Sequence, residues 1–296
     1  MRRADAVWHD AAMVSITAAH LIAGTIGVSI TRQWYVDGTF NEARFRELAE
    51  VVERHDTFPY SLVLDPIEQG LGTGYGEWSA TYDGPNPLIA AEEPVVLPLI
   101  ADLCKTGVSA LDAACGTGRH ASFLATHGCT VTGVDQSGAM LERARAKVPD
   151  AEFIQADVRG MPLDGGSFDL AVVSLALCHL ADPAEALQEL ARVLRPRGRL
   201  VISDPHPGSS FLGGQAFYGG FGQGVPMRWV RNHTHSASTW LRAFRSAGLS
   251  VADCIEVPFG EAQIVANPVA LLYPEATRAA LAGMPALWVW VLERND

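Results

Sequence analysis

The sequence predicts an α/β protein, a doubly wound sheet preceded by a helical cap. Three observations carry that expectation. Short apolar runs alternate with helical periodicity from about residue 108 to 203. An acid closes three successive runs, at Asp112, Asp135 and Asp157. The first run leads directly into a glycine turn, ALDAACGTGRHA over 110–121.

In that first segment Val108, Ala110 and Leu111 form a short buried strand that ends at Asp112. Gly116 and Gly118 allow a sharp turn and close approach of a ligand to the backbone. Ala121, Phe123 and Leu124 then open a helix whose first N–H groups face the same crevice. Gly116, Gly118 and Ala121 also satisfy the dinucleotide pattern G-x-G-x-x-G/A, with Asp135 at about the 20-residue distance of a ribose-binding acid. Asp112 weighs against a dinucleotide, because an acid beside an anionic pyrophosphate is repelled. It suits a ligand with a cationic amino group.

The second strand is Cys129–Val134, closed by Asp135. Ser137 caps the next helix, where Met140, Leu141, Ala144 and Val148 fall at core spacing. Glu152–Ala156 is the third strand, followed by Asp157 and Val158. Phe168–Ser174 (FDLAVVS) is the fourth, and its near-continuous apolar run fits a sheet covered on both faces. Leu175–Leu180 leaves it at the ligand edge and carries Cys178 and His179. Asp182-Pro183-Ala184-Glu185 opens a helix with an acid cap and a first-turn proline. Leu187, Leu190 and Leu194 are its buried stripe, and Arg195-Pro196-Arg197-Gly198 stops it. Arg199–Ser203 is the fifth strand, leading to Asp204, Pro205 and His206. Ser238–Ala247 is a further helix, Leu249–Val257 the sixth strand and Ala286–Leu292 the last, antiparallel one. A Gly- and aromatic-rich insertion runs to Ser236, and a second fills Phe259–Pro285.

Ahead of the sheet, Glu92–Leu103 reads as a helix despite Pro94 and Pro98. Residues 1–70 form the cap. Ala11–Thr31 carries no Lys, Arg, Asp or Glu and follows Arg2 and Arg3. It also holds Ser15, Thr17, His20 and Gly24, so a buried helix is expected rather than a membrane span or a secretory core. Asn41–His55 is expected as a helix capped by Asn41, with Phe45, Leu48 and Val52 at core spacing. The cap serves either as a lid or as a packing surface, a homodimer contact included.

Hydrophobic residues make up 48% of the 296, enough for a sizeable core, and 33 acids against 22 basic residues give a net charge of -11. That balance argues against a nucleic-acid surface and disfavours anionic membranes. The five cysteines lack metal-ligand spacing and read as free thiols of a cytoplasmic protein. His233-Thr234-His235 likewise lacks the spacing of a closed zinc site, so no metal is expected.

The 110–121 segment resembles motif I of the class I S-adenosylmethionine (SAM)-dependent methyltransferases, within their small-molecule (type 11/25-like) branch. It departs at Ala114, where the family has its first glycine. Tyr75, Trp78, Tyr82 and Asp83 resemble the family's pre-motif segment Y-x-x-W-x-x-x-Y-D. Arg192–Gly198 (RVLRPRG) resembles its post-motif region, with Arg197 in place of a glycine. The resemblance runs from Tyr75 to Val257. It implies a Rossmann-like doubly wound seven-stranded sheet with the last strand antiparallel, spanning 71–296 with insertions at about 205–236 and 258–285.

The resemblance also implies methyl transfer from SAM to a small-molecule acceptor, O-methylation favoured and N- or C-methylation open. Asp112, Ala114, Gly116 and Gly118 would hold the methionine end, with Tyr75 and Trp78 beside the sulfonium, a cation favoured near aromatic faces. Asp135 would take the ribose hydroxyls, with Gln136 and Met140 beside the adenosine. Ala156, Asp157 and Val158 would meet the adenine, and Ser174 and Leu175 complete the implied contacts. For proton removal, His179, Asp204 and His206 converge on one strand edge, with His235 in reserve; a histidine's ordinary pKa suits a base at neutral pH. The alternatives are an NAD-dependent oxidoreductase and a SAM-binding protein with non-methyl or lost catalysis. Base-amino methylation is disfavoured, because Ser174-Leu175-Ala176-Leu177 stands where N/D-P-P-Y would.

Overall fold

The computed structural model describes residues 15–220 and 226–296. Arg2, Arg3, the start of the Ala11–Thr31 stretch and five residues of the first insertion lie outside the described residues. The chain divides into two units. One joins the described residues up to Ile67 with Ile264–Ala282; the other joins Glu68–Gln263 with Gly283–Asp296. Most of the second insertion therefore belongs to the same unit as the N-terminal helices.

In the first unit, α1 (Ala18–Gln33) buries Ala19, Ile22, Ile26 and Ser29, one face at helical spacing. Arg32 in its last turn donates to the carbonyls of Ala280 (2.8 Å) and Ala282 (2.9 Å), which end the helix Pro274–Leu281. Among the described residues no helix is long and apolar enough to cross a membrane. The second helix, α2 (Gly38–Glu53), starts before Asn41: Asp37 is its cap and accepts from the N–H of Thr39 (2.9 Å) and Phe40 (3.0 Å). Its buried face also differs from expectation. Phe45 and Val52 are 59% and 64% exposed, whereas Arg44 and Val51, one position earlier, are buried. Arg44 is tolerated there because Glu47 (2.7 Å) and Glu275 (3.2 Å) neutralise it and the Phe40 ring lies under it.

The second unit holds the sheet. Its strands are β1 (Ser109–Ala113), β2 (Thr130–Asp135), β3 (Glu152–Gln155), β4 (Phe168–Ser174), β5 (Leu194–Pro205), β6 (Leu249–Pro258) and β7 (Pro285–Arg294). Their order is β3-β2-β1-β4-β5-β7-β6. The first five run parallel, and β7 pairs antiparallel with both β5 and β6. Side chains alternate between two cores, as strand geometry requires. Leu111, Ala113, Val173 and Ile202 face one core; Ala110, Leu170, Val172 and Val201 face the other. On the first face pack α7 (Ala184–Val193) and α8 (Ala237–Ser246), through Leu187, Leu190, Trp240 and Phe244. On the second pack α4 (Pro87–Leu103) and α5 (Arg119–Thr126).

Two elements are longer than expected. Helix α4 starts at Pro87, because Asn86 accepts from the N–H of Leu88 (2.9 Å). Strand β5 starts at Leu194 and absorbs Arg195–Gly198, with Arg197 at φ 63° where the family motif has a glycine. The first insertion contributes a hairpin, Ala216–Tyr218 against Arg228–Val230.

The switch point beside β1 is the turn that the glycines make, with Ala114 at φ 54° and Gly116 at φ 53°. For alanine the left-handed region costs about 1–2 kcal/mol, which exceeds the extra chain entropy that glycine loses on folding. Ala114→Gly is expected to stabilise the fold by about 0.5–1 kcal/mol. Urea unfolding of the two proteins measures it; a destabilised variant would mean that the Ala114 methyl group packs favourably.

Candidate active site

The carboxyl ends of β1–β4 border a cleft with about 740 Å³ of empty space, its open mouth included. Ala114 and Gly116 line it from the β1 turn; Asp135, Gln136 and Ser137 from the end of β2; Ala156, Asp157, Val158 and Arg159 from the end of β3; and Ser174, Leu175 and Ala176 from the end of β4.

Each acid in the cleft has a defined hydrogen-bonding state. Asp135 accepts from the N–H of Gly116 on Oδ2 (2.8 Å) and from that of Ser137 on Oδ1 (2.8 Å). Burial raises its pKa, and those two N–H groups offset part of the effect. Both oxygens retain lone pairs for a ligand in the cleft. Asp157 takes a bidentate bond from Arg159 (3.0 and 2.6 Å), and that hydrogen bonding holds its carboxyl below the usual range.

Aromatic side chains line the other end. Helix α3 (Leu71–Trp78) presents Leu71 and Tyr75, and Tyr82 follows it. The Tyr75 and Tyr82 rings lie 5.9 Å apart. The Tyr75 hydroxyl is 2.7 Å from Nε2 of His179, whose Nδ1 is 2.8 Å from the Arg231 carbonyl oxygen. His179 lines the cleft, and burial lowers its pKa, with the Arg231 carbonyl acting in the opposite direction. That direction favours the neutral imidazole at pH 7.

Behind the cleft wall lies a buried charge network. Glu92 of α4 is 0% exposed. It accepts from the hydroxyls of Ser174 and Ser203 and pairs with Arg119 at 2.8 Å. Burial pushes the Glu92 carboxyl up; His120, Arg119 and the two hydroxyls outweigh it, and the pKa lies below the usual value. His120 is itself pushed down to about 4 by burial and by Arg119, so at neutral pH Arg119 carries the charge opposite Glu92.

Residues 111–202 match the family model described as a methyltransferase domain. The segment is a methyltransferase domain of the class I fold. A solved S-adenosylmethionine dependent methyltransferase from Mesorhizobium loti is 26% identical, with a TM-score of 0.52 over 70% of this chain and 100% of that one. The demethylmenaquinone methyltransferase of Clavibacter sepedonicus is 34% identical over 44% of this chain and 56% of its own length. The malonyl-[acyl-carrier protein] O-methyltransferase of Salmonella typhimurium is 32% identical over 48% of this chain and 56% of its own. The chain spans 31–56% of the length of such curated relatives. The [4+2]-cyclase SpnF shares the fold (TM-score 0.53, 18% identity, 78% of this chain and 98% of that one), so the architecture alone does not fix a reaction.

Several expected site residues stand away from the cleft. Asp112 is 2% exposed and accepts from the N–H of Ala121 at 2.7 Å, satisfying an orphan donor in the first turn of α5. Burial pushes its pKa up to about 7. It braces the turn and does not line the cleft. Gly118 (φ 78°) leaves room for α6 (Gly138–Lys147): a Cβ there would sit 3.1 Å from that of Ala144. Met140 is core, 1% exposed. Trp78 stacks on Tyr218 (5.2 Å) and meets Tyr82 edge-on (5.1 Å), behind the lining rings.

The expected base cluster also separates. Asp204 and Pro205 continue β5 and pair with Trp288 and Leu287, which carries His206 past the cleft. His206 instead accepts from the N–H of Gly208 (3.0 Å), lies 3.3 Å from Glu256 and meets Trp288 edge-on. His235 is buried against Trp240. Of the candidate bases only His179 reaches the cleft.

Asp204 is 1% exposed, and neither carboxylate oxygen has a hydrogen-bond partner among the described residues; the Cys178 thiol and main chain only approach it. Burial pushes its pKa up to about 7. A folded-state pKa above the unfolded value contributes stability below about pH 4, and that contribution is lost as pH rises through 7. Asp204→Asn is therefore expected to flatten the fall in stability between pH 4 and 8, by an amount on the order of 3 kcal/mol. Urea unfolding across that range checks it; an unchanged pH slope would contradict a buried, unpaired carboxyl.

The sequence reading missed Glu92, Arg119 and His120. A signal existed for the first: Glu92 stands at i, i+4, i+8 spacing with buried Val96 and Ile100, and an acid on a buried face requires a partner.

Proposed function

We propose that the chain transfers a methyl group from SAM to a small-molecule acceptor, most readily onto oxygen. The observation that carries the proposal is the pair of acids in the cleft, Asp135 beside the Gly116 turn and Asp157 one strand away. Asp135 would accept from the two ribose hydroxyls, Asp157 and the Val158 N–H would meet the adenine, and the Tyr75 and Tyr82 rings would flank the sulfonium. When bound, SAM supplies a methyl group already activated on a cationic sulfur. The protein's part is to hold the acceptor in line, exclude water and receive a proton at His179.

The net charge of -11 supports a small-molecule rather than a nucleic-acid acceptor. Incubating the protein with SAM and a metabolite panel, with S-adenosylhomocysteine (SAH) followed by mass spectrometry, tests the proposal. Acceptor-dependent SAH release is the expected result. SAM binding with no release for any acceptor would favour a non-methyl reaction.

A further inference from the structure

The hydrogen bonds around His179 fix more than its position. A main-chain carbonyl can only accept, so the 2.8 Å contact from Nδ1 to the Arg231 oxygen places the imidazole proton on Nδ1. In the neutral ring Nε2 is then a lone pair. The Tyr75 hydroxyl, 2.7 Å away, must be its donor. The carbonyl is itself held in place: the Arg231 guanidinium makes a bidentate pair with Glu68 (2.8 Å twice) and lies over the Trp229 ring. Both Tyr75 and His179 line the cleft, yet the lone pair of the imidazole is covered by the phenol.

We propose that Tyr75 and His179 act as one proton-accepting pair, in which the phenol meets the methyl acceptor and the imidazole stores the proton behind it. This rests on the methyl-transfer reading. As the acceptor O–H bond breaks, its proton moves to the Tyr75 oxygen and the Tyr75 proton passes to Nε2. The electron pair left on the acceptor oxygen forms the bond to the methyl carbon, and the pair of the broken carbon–sulfur bond stays on sulfur. The protein ends with a neutral phenol and an imidazolium, which returns its proton to solvent. Arg231 is a positioning residue that acts through its main chain, since its carbonyl excludes the Nε2–H tautomer that could not receive the proton. His233 bears on the imidazole side, and Asp135, Asp204, Tyr82 and Cys178 bear on the phenol side.

Long-range nitrogen–proton NMR of the full chain, labelled with nitrogen-15 in its histidine rings, tests the pair without any acceptor. His179→Gln assigns the signals. The expected spectrum shows His179 neutral and protonated on Nδ1, with an Nε2 resonance that moves downfield in Tyr75→Phe. An Nε2-protonated ring, or a resonance unmoved in Tyr75→Phe, would overturn the proposal. The wild-type tautomer decides even if a variant fails to fold. Calorimetry with SAH on the same preparation keeps the two readings apart. SAH binding with the wrong tautomer overturns the pair alone, whereas absence of SAH binding overturns the methyl-transfer reading and the proton role with it.

Discussion

Glu92→Ala is expected to cost about 2–4 kcal/mol of fold stability, because it removes the nearer of the two carboxylates that neutralise Arg119, leaving Glu93 at 3.3 Å, and takes the shared acceptor from two hydroxyls. The Arg119 side chain is only 22% exposed and lies 2.8 Å from the Glu92 carboxylate. The Ser174 and Ser203 hydroxyls, at the ends of the neighbouring strands β4 and β5, donate to the same oxygen. The one carboxylate thus links α4, the start of α5 and two strand ends beneath the cleft. A loss of that size is a large part of a domain's usual 5–15 kcal/mol. Glu92→Gln retains an acceptor for the hydroxyls and should lose less. Urea unfolding measures both, and a loss below about 1 kcal/mol for Glu92→Ala would mean that the network does not hold these elements together.

Asp135→Ala carries the largest expected effect on binding. Two charge-assisted bonds to ribose hydroxyls, at about 1.5–3 kcal/mol each at most, correspond to a weakening of about 100-fold to at most about 10,000-fold. Part of the effect comes through the turn. Asp135 also holds the N–H groups of Gly116 and Ser137, so its removal loosens the loop that approaches the ligand. Asp135→Asn retains one acceptor and should fall between the two proteins. Titration with SAH gives the affinities, and circular dichroism verifies the fold. Unchanged affinity in a folded Asp135→Ala protein would remove Asp135 from the site.

The sheet was legible because its signals are local. FDLAVVS is apolar from Leu170 to Val173, where β4 is covered on both faces, and acids close the runs that become β1 to β3. The cleft residues that project from strand ends, Asp135, Asp157 and Ser174, follow from position alone. What failed depended on where long connections lead. His206 looked convergent because the strand was expected to stop at Ser203, but pairing with β7 extends it through Pro205 and turns the histidine away. Asp112 shows a different limit. Its place at a strand tip was read correctly, but its carboxylate is taken up by a backbone N–H of α5, a competitor that no spacing rule weighs. Phe45 and Val52 match helical spacing as well as Val51 does, and the apolar cluster that takes Val51, with Ile22, Tyr60 and Tyr273, decides which face is buried.

Titrating the wild-type chain calorimetrically with SAH and, separately, with NAD tests the reading of the cleft most directly. The arrangement of Asp135, Asp157 and the Gly116 turn predicts saturable binding of one SAH per chain and no heat from NAD. Binding of NAD without SAH would contradict it.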